Sequence, residues 1–392
     1  MTTSPFHPLH AAMQSQVDRH FLPGVSTVVL RGREVVDRFV CGHADVEAGV
    51  PLREDHIFRV FSNTKLLISC AVLLLMEDGK LGLDDPIEHH LPELGNRQVL
   101  RPGATRIDDV EPARRSITVR HLMTHTSGLS YGAFDPGTLL FNAYTQVAVH
   151  NPLLSNAQLV TTLAPLPLNF HPGEQWEYSL ATDVLGRLVE VVSGDSLGGF
   201  LARRIFGPLE MTDTDFWVPE AKRPRLAALY GGVDFMDPTR PGLVRMDAAP
   251  HPGAYISPSL RQSGGGGLVS TLDDMVRLIQ SLMPGGRTLL KPGTLALMSR
   301  NHVAPGLFVR FPNMPAHRGR VFGLGSSVLA EPGPVDPPNA TDEVSWGGLA
   351  GTIWWINPRL NIAGVLMTQR YFGFGNPYTF EFKNLAYKGL NC

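Results

Sequence analysis

Ser62 and Lys65 stand one helical turn apart in FRVFSNTKLLISCAVLLLMEDGKLGLDD, where an apolar run begins. Positions i and i+3 of a helix share a face, so the amine can reach the hydroxyl. Such a pair suits nucleophilic catalysis, in which a serine attacks an acyl carbon as a neighbouring base takes its proton. An apolar surround makes a charged amine costly and favours its neutral, proton-accepting form. A serine in the first turn also places its own N–H among donors the helix leaves unpaired, where an oxyanion can be held. The plainer account is a capping serine and a lysine whose head reaches water. Ser-x-x-Lys alone arises by chance about once in a chain of this length. The apolar setting strengthens the case for chemistry.

Two further stretches could serve the same reaction. NFHPGEQWEYSLATDVLGRLVEVVSG turns at Pro172-Gly173 and presents Tyr178 just before a helix that starts near Leu180. A phenol beside Ser62 and Lys65 could pass a proton from nucleophile to leaving group; a tyrosine bonded to backbone is the alternative. In SWGGLAGT, Gly347 and Gly348 allow close backbone approach to a ligand, and the N–H of Leu349 could be a second oxyanion donor. A bulge at a strand edge would use the same glycines.

Other candidates fare worse. GLSYG, residues 128–132, matches the Gly-x-Ser-x-Gly elbow centred on Ser130, but helical spacing precedes it and a turn-rich stretch follows, where a strand and a helix are required. Ser130 is therefore read as incidental. His121 and His125 have half the spacing of a zinc site without the glutamate of HExxH, so a structural role is expected, and no metal is. His89-His90 reads as surface.

The elements that must position these groups follow from the pattern. Two β-branched runs flank Arg31-Gly32-Arg33 as a hairpin, and an almost wholly apolar helix runs from Ser62 to about Gly79. Residues 81–254 read as helices and long loops, with Thr118 or Ser116 capping one helix that Gly128 ends. GGGGLVSTLDDMVRLIQSLM gives a glycine-rich approach to a helix capped by Ser270 or Thr271. Strands return in VFGLGSSVLA, EVSWGGLAGTIWWIN and LNIAGVLMTQ, and a last helix follows Pro377. The expected organisation is an α/β domain of residues 1–80 and 255–392 with a mainly helical domain, 81–254, inserted. The site would lie in the cleft between them.

Composition sets the outer limits. The 392 residues carry a net charge of -2, which provides no basic field for nucleic acid. The longest apolar run is too short to span a bilayer, and the opening residues do not read as a signal peptide. Three cysteines, Cys41, Cys70 and Cys392, leave one unpaired and suit a reducing cytoplasm.

In this order, SNTK, HLMTHTSGL, FHPGEQWEYS, GGGGLVST and WGGLAGT resemble the serine β-lactamase and penicillin-binding-protein superfamily, with the closest likeness to the family VIII carboxylesterases. The resemblance spans roughly residues 20–390. It implies a β-lactamase/transpeptidase-like α/β fold, an antiparallel sheet flanked by helices, with Ser62 as nucleophile and Lys65 and Tyr178 as proton-transfer partners. It also implies an oxyanion hole from the N–H groups of Ser62 and Leu349, an acyl pocket bordered by Tyr131, Asp183 and Trp346 beside Gly347 and Gly348, and no cofactor. Two departures matter: Leu180 replaces the asparagine of Tyr-x-Asn, and Trp346-Gly347-Gly348 replaces Lys-Thr-Gly. An aromatic wall in place of a cation favours neutral, partly apolar acyl groups over lactam carboxylates. The expected activity is hydrolysis of small short- to medium-chain carboxylic esters. The alternatives are a β-lactamase, D,D-peptidase or acyltransferase with the same nucleophile, or a non-catalytic binding protein that kept the fold.

Overall fold

The computed structural model describes residues 4–234, 237–311 and 317–392. The expected hairpin is β1 (Gly24–Arg31) and β2 (Glu34–Asp45), and Gly32 takes the positive φ of 56° that the tight turn needs. β3 (Val50–Pro51) extends one edge. Five strands from the far end of the chain complete the sheet: β4 (Arg320–Phe322), β5 (Ser327–Leu329), β6 (Val344–Gly347), β7 (Ile353–Asn357) and β8 (Ile362–Thr368). Their order is β4-β5-β6-β7-β8-β1-β2-β3, with every pair antiparallel and Val28 opposite Val365 where the two chain ends meet.

Five helices bear on the site: α1 (His7–Asp18), α2 (Thr64–Glu77), α3 (Ala181–Ser193), α4 (Leu272–Leu282) and α5 (Pro377–Gly389). Both faces of the sheet are covered, so β1 and β8 read as nearly unbroken apolar runs rather than alternating ones. Val28, Leu30, Val365 and Met367 join the core that holds α2 and α4, while Val25, Val29, Ile362 and Leu366 pack with Leu9 and Met13 of α1 and Phe382 of α5. Burial of each such side chain contributes about 1.5–3 kcal/mol. Helix α2 is buried on all sides along Thr64–Leu75, as its sequence requires.

Helix α5 is pinned beside β6 by a buried charge network. Lys383 Nζ lies 2.8 Å from Asp336 Oδ1 and 3.1 Å from Glu343 Oε1, Arg320 Nη2 lies 2.6 Å from the same Asp336 oxygen, and Tyr387 donates to Glu343 Oε2 at 2.9 Å. Burial alone would raise the Asp336 carboxyl, but Arg320 and Lys383 outweigh it and hold it below its ordinary value. Because Glu343 immediately precedes β6, the network fixes where Trp346 and Gly347 run.

Residues 81–254 contain the expected helices and loops, and also short strands that the pattern did not suggest. Gln98–Leu100 pairs with Val110–Pro112, and Tyr230–Gly232 pairs with Leu243–Arg245 and, in parallel, with Arg370–Tyr371. Strands of two or three residues are too short to show alternation, and the last pairing is decided by a partner far along the chain. The helix capped by Thr118 is a single turn, Val119–Met123, shorter than expected; Gly128, at φ 84°, turns the loop beyond it. Thr271 caps α4. No helix among the described residues is long and apolar enough to cross a membrane.

Candidate active site

Ser62 lies in a 3-10 turn, Phe61–Asn63, ahead of α2 rather than inside an α-helix that starts at Ser62. The cause is local: Phe61 takes a left-handed φ of 42°, a conformation that costs a bulky residue about 1–3 kcal/mol. Its ring is gripped edge-on by Tyr255 at 5.6 Å and Tyr371 at 5.8 Å, which offsets that strain. The short strand Phe58–Arg59 pairs with Val269–Ser270 and so brings the glycine tract 264–267 alongside the turn.

Three of the expected groups meet at one oxygen. Tyr178 Oη donates to Ser62 Oγ at 2.7 Å, and Lys65 Nζ lies 3.4 Å from the same atom. Lys65 is only 2% exposed, and its shortest hydrogen bond runs to the carbonyl of Gly265 at 2.6 Å. Its Nζ is 4.7 Å from the Tyr178 ring centre and has no ion-pair partner among the described residues. Glycine at 265 leaves room for this contact, since a Cβ there would fall 2.3 Å from Asp183 Oδ2 and one of the two would have to shift. Asp183, buried in the first turn of α3, accepts a hydrogen bond from Ser263 Oγ at 2.6 Å.

Tyr178 is itself held by His125, whose structural role is to brace the phenol's loop. His125 accepts the Glu177 N–H at its carbonyl (2.9 Å) and the Ser179 N–H at Nδ1 (3.3 Å), and its ring lies 4.9 Å from that of Tyr178. Burial first, and Lys65 second, hold His125 well below its ordinary pKa, so the imidazole is neutral. Tyr131 stacks on Tyr178 at 5.3 Å with planes 8° apart. Burial, then Tyr178 and Asp183, push the Tyr131 phenol well above its ordinary value, which keeps it an O–H donor.

Trp346 stands 5.5 Å from Tyr178 and forms part of an aromatic wall. Phe134 and Phe311 join it at 6.0 and 5.6 Å from Tyr178, and Phe374 at 5.9 Å from Phe311. Gly347 ends β6, and the chain then turns at Gly348–Gly351, closed by Gly351 N–H to Gly348 O at 2.9 Å. A Cβ on Gly348 would lie 2.3 Å from the Val60 carbonyl, so this turn rests directly on the segment that leads into Ser62. The Leu349 N–H meets no protein carbonyl among the described residues. Leu180, which caps α3, is 2% exposed and gives its N–H to Ser130 O at 3.2 Å.

The remaining candidates have other tasks. Ser130 Oγ accepts the Gly132 N–H at 3.2 Å and braces its loop. His121 Nδ1 accepts the Thr118 N–H at 3.1 Å in a capping box. No group of three or more His, Cys, Asp or Glu side chains among the described residues is placed to hold a metal ion. A cleft of about 590 Å³ between Arg101, Glu111, Arg114 and His171 includes none of the residues around Ser62. What sequence reading missed at the site is the Gly265 carbonyl, His125 as the support of Tyr178, and the aromatic trio Phe134, Phe311 and Phe374. Only the glycine tract carried any signal.

An antiparallel sheet completed from both chain ends, with a Ser-x-x-Lys whose lysine is buried beside a tyrosine, defines a β-lactamase/transpeptidase-like serine hydrolase. The beta-lactamase family model matches residues 9–387, and the chain belongs to that family. It is similar to Protein Rv1367c of Mycobacterium tuberculosis, 33% identical over 92% of this chain and 88% of that protein. It is also similar to Esterase EstB of Burkholderia gladioli, 31% identical over 97% of this chain and 94% of that one. Among solved structures, EstCE1, described as a hydrolase with promiscuous acyltransferase activity, superposes with a TM-score of 0.83 at 26% identity over 98% of both chains. The chain is an enzyme of the serine hydrolase class.

Proposed function

We propose that the protein is a carboxylesterase that hydrolyses small, neutral esters with short or medium acyl chains through a Ser62 acyl-enzyme. The observation that carries the reading is the convergence of Tyr178 Oη and Lys65 Nζ on Ser62 Oγ inside an aromatic cleft. Ser62 Oγ forms a bond to the ester carbonyl carbon while its proton passes to Lys65, assisted by Tyr178. The carbonyl oxygen becomes an oxyanion received by the N–H groups of Ser62 and Leu349. As the ester C–O bond breaks, Tyr178 protonates the leaving alkoxide and recovers a proton from Lys65. Water then attacks the acyl-enzyme, giving its proton to the same pair, and Ser62 is released with its hydroxyl restored.

Substrate class follows from the walls of the cleft. Tyr131, Asp183 and Trp346, beside Gly347 and Gly348, border the acyl pocket in this reading. Trp346 and the buried Leu180 present neither the cation nor the amide that would suit a β-lactam, so lactam turnover is at most weak. The similarity to EstB supports an ester, and that to EstCE1 supports acyl transfer as a second outcome of the same intermediate. We assign the cleft to the junction of an α/β domain, 1–80 and 255–392, with an inserted mainly helical domain, 81–254, in keeping with the sheet order. Three free thiols agree with a cytoplasmic enzyme.

Intact-mass spectrometry after brief exposure to p-nitrophenyl butyrate and to a chromogenic cephalosporin tests the proposal. A butyryl adduct on the peptide with Ser62, and faster release of nitrophenol than of ring-opened cephalosporin, is the expected result. An adduct elsewhere, or preference for the cephalosporin, overturns it. Failure of the folded protein to react with a fluorophosphonate at Ser62 would point to a binding protein instead.

A further inference from the structure

Asn63 and Thr352 lie next to the two proposed oxyanion donors, and neither has a part in the chemistry described so far. Both are essentially buried, at 1% and 0% exposure. Asn63 Nδ2 donates to Thr352 Oγ1 at 3.0 Å, and Thr352 Oγ1 donates in turn to the Val60 carbonyl at 3.5 Å. The same Val60 carbonyl accepts the Asn63 N–H at 3.0 Å, closing the 3-10 turn that carries Ser62. One hydroxyl thus touches both ends of the nucleophile turn, one residue to either side of Phe61-Ser62. The backbone of Thr352 reaches the other way. Its carbonyl accepts the Gly348 N–H at 2.7 Å and so closes the loop that presents Leu349.

We propose that Thr352, with Asn63, is a strut that sets the spacing between the Ser62 and Leu349 N–H groups, which makes both of them positioning residues for acylation. This rests on the reading of Ser62 as nucleophile. Three features argue that the arrangement is selected for geometry. The left-handed Phe61 would relax to an ordinary conformation if the turn were free to move. Asn63 Oδ1 is buried with no hydrogen-bond partner among the described residues, a cost that a purely stabilising contact would avoid by using an apolar side chain. Gly348 lacks a Cβ at the one point where it would strike both Val60 O, at 2.3 Å, and Thr352 Oγ1, at 2.4 Å. The two turns are therefore in direct contact, and a hydrogen-bonded hydroxyl, not a compressible apolar cushion, fixes their separation. Oxyanion donors act only at the right distance, and a misplacement of about 1 Å costs about 100-fold in rate.

The test compares Thr352→Val, Thr352→Ser and Asn63→Ala with the parent enzyme. The readouts are kcat and KM on p-nitrophenyl butyrate, the rate of Ser62 phosphonylation by a fluorophosphonate, the inhibition constant of an alkyl boronic acid, and thermal midpoint. Thr352→Val keeps the shape and removes the bond. It is expected to lower kcat and the phosphonylation rate about 10- to 100-fold and to weaken boronate binding by a similar factor, with KM nearly unchanged. Thr352→Ser recovers most of that loss, and Asn63→Ala combined with Thr352→Val costs little more than either alone, because both break one linkage. Folded variants with parental kcat and boronate affinity, or losses that multiply in the double variant, overturn the strut. If the parent itself is not phosphonylated at Ser62, the assignment of the nucleophile fails instead, and the two failures are told apart by that control.

Discussion

Tyr178 Oη stands 2.7 Å from Ser62 Oγ, closer than Lys65 Nζ at 3.4 Å, so the phenol is the nearer hydrogen-bond partner of the hydroxyl. Tyr178→Phe keeps the stack with Tyr131 and removes only this oxygen. It should reduce kcat by about 100- to 10,000-fold with little change in KM. Stopped-flow measurement of the nitrophenol burst decides it: a burst as fast as that of the parent removes Tyr178 from proton transfer. Ser62→Ala should abolish the burst, whereas Ser130→Ala should leave it nearly intact.

Gly265 holds Lys65 through its carbonyl while lying against Asp183. In Gly265→Ala the new methyl group meets Asp183 Oδ2 at 2.3 Å, so either the turn 264–266 or the buried Asp183 side chain must shift, and a shift of the turn withdraws its carbonyl from the amine. We expect a loss of at least about 10-fold in kcat/KM, of the size found when a catalytic group is displaced. Asp183→Asn in the same background should not restore it, since the amide is no smaller than the carboxylate. Recovery of full activity in that double variant would show that charge, rather than space, governs the position.

Phe311 closes the aromatic wall opposite Tyr178 and Trp346. Phe311→Ala should raise KM for p-nitrophenyl hexanoate more than for the acetate, by up to about 10- to 100-fold, because only the longer chain reaches the lost surface. Kinetics on an acetate-to-octanoate series will show this as a flattened dependence on chain length. An equal effect on every ester would place Phe311 outside the acyl pocket.

His121 and His125 predict how stability changes with acidity. Burial first, and then Arg115, lower His121 from 6.5 to about 4, and His125 is lowered in the same direction. Below pH 6.5 the unfolded chain therefore binds the proton more readily than the folded one, so stability is present above 6.5 and drains away as pH falls toward 4. His121→Gln keeps an acceptor for the Thr118 N–H, as in an ordinary capping box, but cannot titrate. Its thermal midpoint should fall less steeply than the parent's between pH 6.5 and 4. Parallel midpoint curves would assign the acid sensitivity to other groups.

Much of the candidate site's geometry could be read from one dimension because its groups are side chains with local spacing. Ser62 and Lys65 share a turn, and Tyr178 follows a Pro-Gly bend just ahead of a helix. The unread parts are long-range or carried by backbone. The Gly265 carbonyl has no side-chain signature, and it meets Lys65 across 200 residues of chain. Phe134, Phe311 and Phe374 look like any core aromatics until the fold gathers them around Tyr178. The hairpin, α2, α3 and the last helix were visible as patterns of turn, cap and apolar run. The two- and three-residue strands were not, because Arg370–Tyr371 becomes a strand only beside Tyr230–Gly232. Ser62 itself fell just outside the expected α-helix, because a strained Phe61 precedes it and sequence spacing does not report φ.

The meeting of β1 with β8 also has a bearing on biosynthesis. A ribosome that has already released Ser62, Lys65 and Tyr178 still has to make residues 344–368 before β1 gains its inner neighbour and Leu349 exists. Until then the nascent chain exposes a long apolar strand edge, a site at which chains stick to one another and which holdases shield. Esterolysis should therefore switch on abruptly only once residues 344–368 have been made and folded, and truncations ahead of Ile362 should yield inert, aggregating polypeptide.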